Sequence, residues 1–234
     1  RQAVRLLRSG EADVVLAGGM ERMTNLGTAE ATEGLATAAD ELFEVRNGVT
    51  FPGAYALMAR AYFDEFGGTR EDLAHVAVKN HANALDNEYA QLRNEISVED
   101  ALESPPVAEP LHLYDACPFT DGAAALVLVS EEYAREHDLD APVAVSGSGQ
   151  GGDALALADR EHLARTPAAG RAAREAYADA GVDAADVDLA EVHDCFTIAE
   201  VMALESLGFY EPGEAVGAAR RGETTADGDR PVNL

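Results

Sequence analysis

Short apolar runs alternate with amphipathic stretches at both ends of the chain, and the middle has a different texture. Residues 13–17, 122–129, 142–146 and 187–192 are apolar-rich runs of strand length. Between them lie stretches with helical spacing. Residues 1–8 carry Ala3, Val4 and Leu7 and stop at Gly10, like the end of a helix. Ser130 is placed to cap a helix after the second run, and Thr166-Pro167 opens another that stops at Gly181. A last helix runs from Ile198 to Leu207, with Gly208 as its stop. Alternating strands and helices of this kind predict a layered α/β fold with a sheet covered on both faces.

The middle, residues 24–115, has almost no strand-like alternation. Leu57, Met58, Ala61 and Tyr62 recur at helical spacing up to Gly67-Gly68, and Thr69 to Asp72 begins a further helix. The stretch closes in Ser104-Pro105-Pro106 and reads as a helical insertion. The expected division is 1–23 in a first half, 24–115 in the insertion, 116–140 returning to the first half, and 141–234 in a second half.

Candidate chemistry concentrates in Val192-His193-Asp194-Cys195-Phe196-Thr197. Strand 187–192 leads into it. Thr197-Ile198-Ala199-Glu200 has the capping-box form, so a histidine and a cysteine stand where free N–H groups favour negative charge. Strand alternation sends His193 and Cys195 to one side and Asp194 to the other, which disfavours a metal site using all three. A thiol near a helix start or an imidazolium has a lowered pKa and suits a base, and an imidazole N–H can donate to an oxyanion. The same residues also fit a buried small cysteine and a satisfied core histidine, and the pattern leaves both readings open.

Other motifs are weaker. Gly147-x-Gly149-x-x-Gly152 follows a strand like a dinucleotide fingerprint, but lacks a clean helix cap and a closing acidic residue, so it reads as a flexible connection. Cys117-Pro118-Phe119-Thr120-Asp121-Gly122 has turn composition, with a place at a pocket rim open to it. His75, His81, His112, His137 and His162 fall at no spacing of interest and read as surface or helix-face residues.

Charge alters the picture of the surface. The 234 residues carry a net charge of -26, spread along the chain, and Lys79 is the single lysine. This balance repels nucleic acid and anionic membranes, so neither is an expected partner; it fits a surface adapted to high salt. No apolar run approaches the ~18 residues of a membrane span, and no signal-like segment opens the chain; a cytoplasmic location is expected. Cys117 and Cys195 lie far apart without CxxC spacing, so neither a structural disulfide nor zinc is indicated.

On these residues the chain resembles the thiolase superfamily, in the branch of sterol-carrier-protein-type and archaeal acetoacetyl-CoA thiolases. Asp13 through Met23 is similar to the family's strand and GGxExM segment, and Val78-Lys79-Asn80-His81 to the branch's loop domain. Cys117 through Ala125 resembles its CPxxDGAAA stretch, and Val192 through Thr197 its HDCF motif. The resemblance implies a five-layer αβαβα fold with a mostly helical loop-domain insertion, incomplete at both ends. The implied activity is making or breaking the carbon–carbon bond of a 3-oxoacyl-CoA, as in condensation of two acetyl-CoA to acetoacetyl-CoA. Cys195 then resembles the acid/base for the α-proton, His193 the donor to the enolate oxygen, and Phe196 a lining residue of the substrate pocket. The nucleophilic cysteine and the glycine-histidine-proline histidine of the family are expected outside these residues. Acyl-CoA is the implied substrate, with no covalently bound cofactor. The implied partners are further copies of the chain, hydroxymethylglutaryl-CoA synthase and a small bridging protein. A degradative thiolase or a non-catalytic acyl-CoA-binding scaffold are the alternatives.

Overall fold

The computed structural model describes residues 1–234. In chain order the elements are α1 (Gln2–Arg8), β1 (Val14–Glu21), α2 (Thr28–Leu35), α3 (Phe51–Phe66), α4 (Arg70–Ala84), α5 (Val98–Glu103), β2 (Pro106–Ala108), β3 (Leu111–His112), β4 (Gly122–Val129), α6 (Glu131–Glu136), α7 (Pro167–Ala180) and α8 (Thr197–Ser206).

Local chemistry accounts for the helix starts. The Thr50 hydroxyl accepts from the Gly53 N–H at 3.2 Å, and Pro52 occupies the first turn of α3. Thr69 and Asp72 form a capping box at α4, and Ser97 and Asp100 form another at α5. Ser130 accepts from Tyr133 N–H at α6, as expected. Pro167 leads α7, and Gly181, at φ 71°, closes it in the left-handed conformation that glycine adopts without a steric penalty.

The core gathers around α8. Ile198, Val201, Met202 and Leu204 are buried on different sides of this helix, so it is apolar nearly all round and sits inside the molecule. Met58, Ala59 and Tyr62 of α3, Leu73 and Val76 of α4, and Ala215, Val216 and Ala219 pack in the same cluster. Helices from the middle of the chain thus enclose a helix from its last third.

β1 pairs antiparallel with β4 from Val14 opposite Val129 to Glu21 opposite Gly122. This ribbon is not covered on both faces within the chain: Leu16 is 72% exposed, Met20 84% and Leu126 68%.

Two expected strands do not form. Residues 142–146 are unpaired, and 187–192 make a single parallel bridge, Ala190 with Val232. Their apolar composition suits a sheet, but neither has a neighbouring strand to complete a ladder here. The glycines after 146 also have a different role from a flexible connection. A Cβ at Gly147, Gly149 or Gly151 would collide with the carbonyls of Ala176, Ala172 and Ala168 respectively. An extended segment therefore lies directly along one ridge of α7, one glycine per helical turn, where no side chain fits. Ser148 and Gln150 donate their N–H groups to Asp179 and Glu175 of that helix. His112, expected at the surface or on a helix face, is buried, with its Nδ1 against the Ser104 carbonyl.

Candidate functional site

The 193–197 segment is held from three directions. Behind it, Ala116 forms an antiparallel bridge with Phe196, and Cys117 N–H donates to the Cys195 carbonyl at 3.1 Å. This places the chain's two cysteines opposite one another on adjacent extended segments. Cys195 is buried at 6% exposure and Cys117 is exposed.

From α3, the Tyr55 ring stacks on Phe196 with centroids 4.7 Å apart, beside the Cys195 thiol. Burial pushes the thiol above its ordinary pKa, while the Tyr55 hydroxyl and the Phe196 N–H pull the other way. The lowered pKa expected for a thiol at a helix start is therefore not found, because desolvation outweighs the dipole. Tyr55 is itself raised, first by burial and then by the neighbouring Cys195 thiol.

The start of α8 also differs from expectation. Phe196, not Thr197, occupies the N-cap position, and no side chain caps it. Thr197 is the first helical residue, and its hydroxyl donates to Asp115 Oδ1 at 2.7 Å. The other Asp115 oxygen accepts from His112 N–H at 2.8 Å, and burial raises this carboxyl. Glu200 does not reach back to close a capping box. It enters the interior, where its Oε1 meets Lys79 Nζ at 2.8 Å with both side chains at 2% exposure or less. Burial raises Glu200, and Lys79 and Asn80 oppose the shift.

Beneath the segment lies a polar network that the sequence pattern did not reveal. Asn80 Nδ2 donates to Asp194 Oδ2 at 2.8 Å and to Glu200 Oε2 at 2.9 Å. Asn233 Nδ2 donates to the same Glu200 oxygen at 3.2 Å, and its Oδ1 accepts from Val192 N–H at 2.7 Å. Lys79 Nζ also reaches the Val232 carbonyl at 3.0 Å. The signal that could have found it was Lys79, a lone lysine where every other strong cation is arginine.

The strand expected to carry His193 and Cys195 to one face is not formed. Without a strand over 187–192 there is no pleat to carry the alternation, and His193 is exposed while Cys195 is buried. The His193 ring makes no hydrogen bond inside the chain and is left toward solvent. Phe196 is buried against Tyr55. No group of three or more His, Cys, Asp or Glu side chains is arranged to hold a metal ion. Two clefts lie elsewhere: about 240 Å³ between α1 and α7, and about 320 Å³ beside Thr50 and Arg60. No helix is long and apolar enough to cross a membrane.

Comparison with known proteins agrees with the HDCF resemblance. Residues 1–132 match the thiolase N-terminal domain, and residues 149–234 the thiolase C-terminal domain-like family. The chain is 45% identical over 233 residues to an acetyl-CoA acetyltransferase of Methanothermobacter thermautotrophicus, covering 100% of this chain and 60% of that protein. Among solved structures, the Ltp2-ChsH2(DUF35) aldolase superposes with a TM-score of 0.84 at 31% identity, over 99% of this chain and 61% of that one. A monomeric SCP2-thiolase-like protein type 1 from Mycobacterium smegmatis shares the fold, with a TM-score of 0.68 at 22% identity, over 88% of this chain and 44% of that one. The chain thus spans about 60% of the length of the first of these relatives. With two thiolase domain matches covering most of its residues, it belongs to the thiolase family.

Proposed function

We propose that the protein containing this chain is a thiolase-type acyltransferase that condenses two acetyl-CoA to acetoacetyl-CoA, or runs the reverse thiolysis. The observation that supports it most is the 45% identity to an acetyl-CoA acetyltransferase along the whole chain. In condensation, Cys195 as thiolate takes the α-proton of acetyl-CoA. The enolate carbon then attacks the acyl-enzyme thioester; the new carbon–carbon bond forms and the carbon–sulfur bond to the enzyme breaks. In thiolysis the Cys195 thiol returns that proton. His193, exposed and without a partner in the chain, is free to donate to the thioester enolate oxygen. Phe196 with Tyr55 forms an apolar wall beside the thiol.

The division at residues 24–115 and 116–140, association of several copies, and supply of acetoacetyl-CoA to isoprenoid synthesis through hydroxymethylglutaryl-CoA synthase and a bridging protein belong to the same proposal. A second reading is favoured by the Ltp2-ChsH2(DUF35) aldolase likeness: a thiolase-fold subunit that works only with a second chain.

The test is Cys195→Ala in the whole protein. Condensation of acetyl-CoA is expected to be abolished while acyl transfer to the enzyme stays measurable; normal condensation by this variant refutes the assignment. Because burial raises the thiol, and the base must be deprotonated, condensation by the parent is expected to climb with pH on the alkaline side. A profile already flat by pH 7 contradicts the role given to Cys195.

A further inference from the structure

The residues on either side of His193 are each held by an asparagine, and the two asparagines meet on one carboxylate oxygen. On one side, the Val192 N–H donates to Asn233 Oδ1 at 2.7 Å. On the other, Asp194 Oδ2 accepts from Asn80 Nδ2 at 2.8 Å. Asn80 and Asn233 both donate to Glu200 Oε2, at 2.9 and 3.2 Å. The remaining Glu200 oxygen is taken by Lys79, whose ammonium also reaches the Val232 carbonyl next to Asn233. Asn83 donates to the Val232 and Asn233 carbonyls at 3.2 and 2.9 Å, which fixes the backbone of that asparagine.

From this network we infer that Glu200, Asn80 and Asn233 are positioning residues that set the place of His193, with Lys79 neutralising the charge at their hub. The inference rests on the reading of His193 as the donor to an enolate oxygen.

The His193 ring has no hydrogen bond of its own to orient it, so its backbone placement must come from its neighbours. Those neighbours are tied to a rigid point: Glu200 is fully buried on α8, a helix packed on all sides. Asn80 suits the task because the amide has two N–H donors and each meets a carboxylate oxygen. Its own carbonyl oxygen is buried and has no hydrogen-bond partner in the chain. Aspartate at this position would put a third carboxylate against two others, and would have no donors. The network also links parts distant in sequence, since Asn80 is on α4 and Asn233 close to the last residue of the chain. The helical middle of the chain thus reaches the candidate catalytic segment through hydrogen bonds.

The experiment compares Asn80→Ala and Asp194→Leu with the parent in the whole protein, alongside Cys195→Ala. Asp194 is only half-buried, so its variant is expected to fold even if Asn80→Ala does not. Thermal unfolding establishes which variants are folded. For each folded variant, kcat for condensation is expected to fall roughly tenfold to 100-fold with KM for acetyl-CoA little changed, as a small misplacement of a transition-state donor does. Acyl transfer to the enzyme, which does not use His193 in this reading, is expected to stay near the parental rate. Asp194→Asn keeps an oxygen for Asn80 to donate to, and should restore most of the lost kcat. If folded Asp194→Leu condenses at the parental rate while Cys195→Ala is dead, the positioning inference is overturned and the proposed function stands. If Cys195→Ala also condenses normally, the proposed function fails first. An equal loss in acyl transfer and condensation, without rescue by Asp194→Asn, also overturns the inference, since it marks a general structural fault.

Discussion

The α3–α4–α8 core and the β1–β4 ribbon both carry large apolar side chains and end in opposite conditions. In the core, Tyr62, Leu73, Ile198 and Met202 are buried on all sides by helices from distant parts of the chain. In the ribbon the hydrogen bonds are complete along eight residue pairs, yet Leu16, Met20, Leu126 and Val127 face outward. Backbone pairing alone makes a strand; it does not cover the strand's faces. Within this chain, the comparison separates regular secondary structure, present in both regions, from side-chain burial, which only one of them has.

The sharpest way to break the comparison is to truncate one apolar side chain in each region. Met202→Ala is expected to cost about 2–5 kcal/mol in urea unfolding, the range for buried large-to-small changes, and Leu126→Ala to stay within about 0.5 kcal/mol. Equal losses would mean that the ribbon is as well packed as the core.

Salt should sharpen it next. Net charge of -26 implies strong self-repulsion. Glu44, Asp72, Asp115 and Glu200 are the acidic side chains that become buried, so the rest of that charge is open to screening. Raising sodium chloride from low to molar concentration is expected to raise the melting temperature and proposed activity together. Full stability and activity in dilute buffer would remove the high-salt reading.

A smaller effect is expected at the Thr69 cap. Thr69→Ala removes the hydroxyl in the Thr69–Asp72 box and should cost about 1 kcal/mol by urea unfolding. No change would show that α4 is held by its packing on α8 alone.

The mildest test concerns α1, which lies beside the ribbon. It is tied to α7 by Arg1–Glu175 at 2.6 Å and Arg8–Asp179 at 2.7 Å. The arginine hydrogen bonds hold both carboxyls below their ordinary pKa values. Their contribution is therefore complete above the ordinary carboxylate range and is lost as the pH falls through the lowered values. Amide exchange in α1 is expected to speed up there before that of α8 does. Simultaneous loss of protection in both helices would show that the two regions unfold as one.

Much of this architecture was legible wherever a residue acts on its own backbone. Thr69, Ser130, Pro167, Gly181 and the apolar run of β4 all stand as the pattern implies, because caps, stops and strand periodicity are local. The strands expected at 142–146 and 187–192 were not legible, since an apolar run does not say whether another strand lies beside it. Thr197 and Glu200 misled for a related reason. Their spacing is that of a capping box, but partners from far along the chain, Asp115 and Lys79, compete for both side chains and win. The Cys195 thiol followed the same rule, its pKa decided by burial rather than by the adjacent helix start.

The burial of Lys79 has one more consequence. Thioesters acylate free amines without any enzyme, and a protein that works on acyl-CoA is bathed in them. Here the only ε-amine is shut inside the molecule as an ammonium against Glu200, and every other strong cation is a guanidinium, which is not nucleophilic at neutral pH. The side chains of this chain thus offer its proposed substrate no amine to modify. With arginine at every other strongly basic position and its one lysine buried, the chain offers no exposed lysine to acetylation.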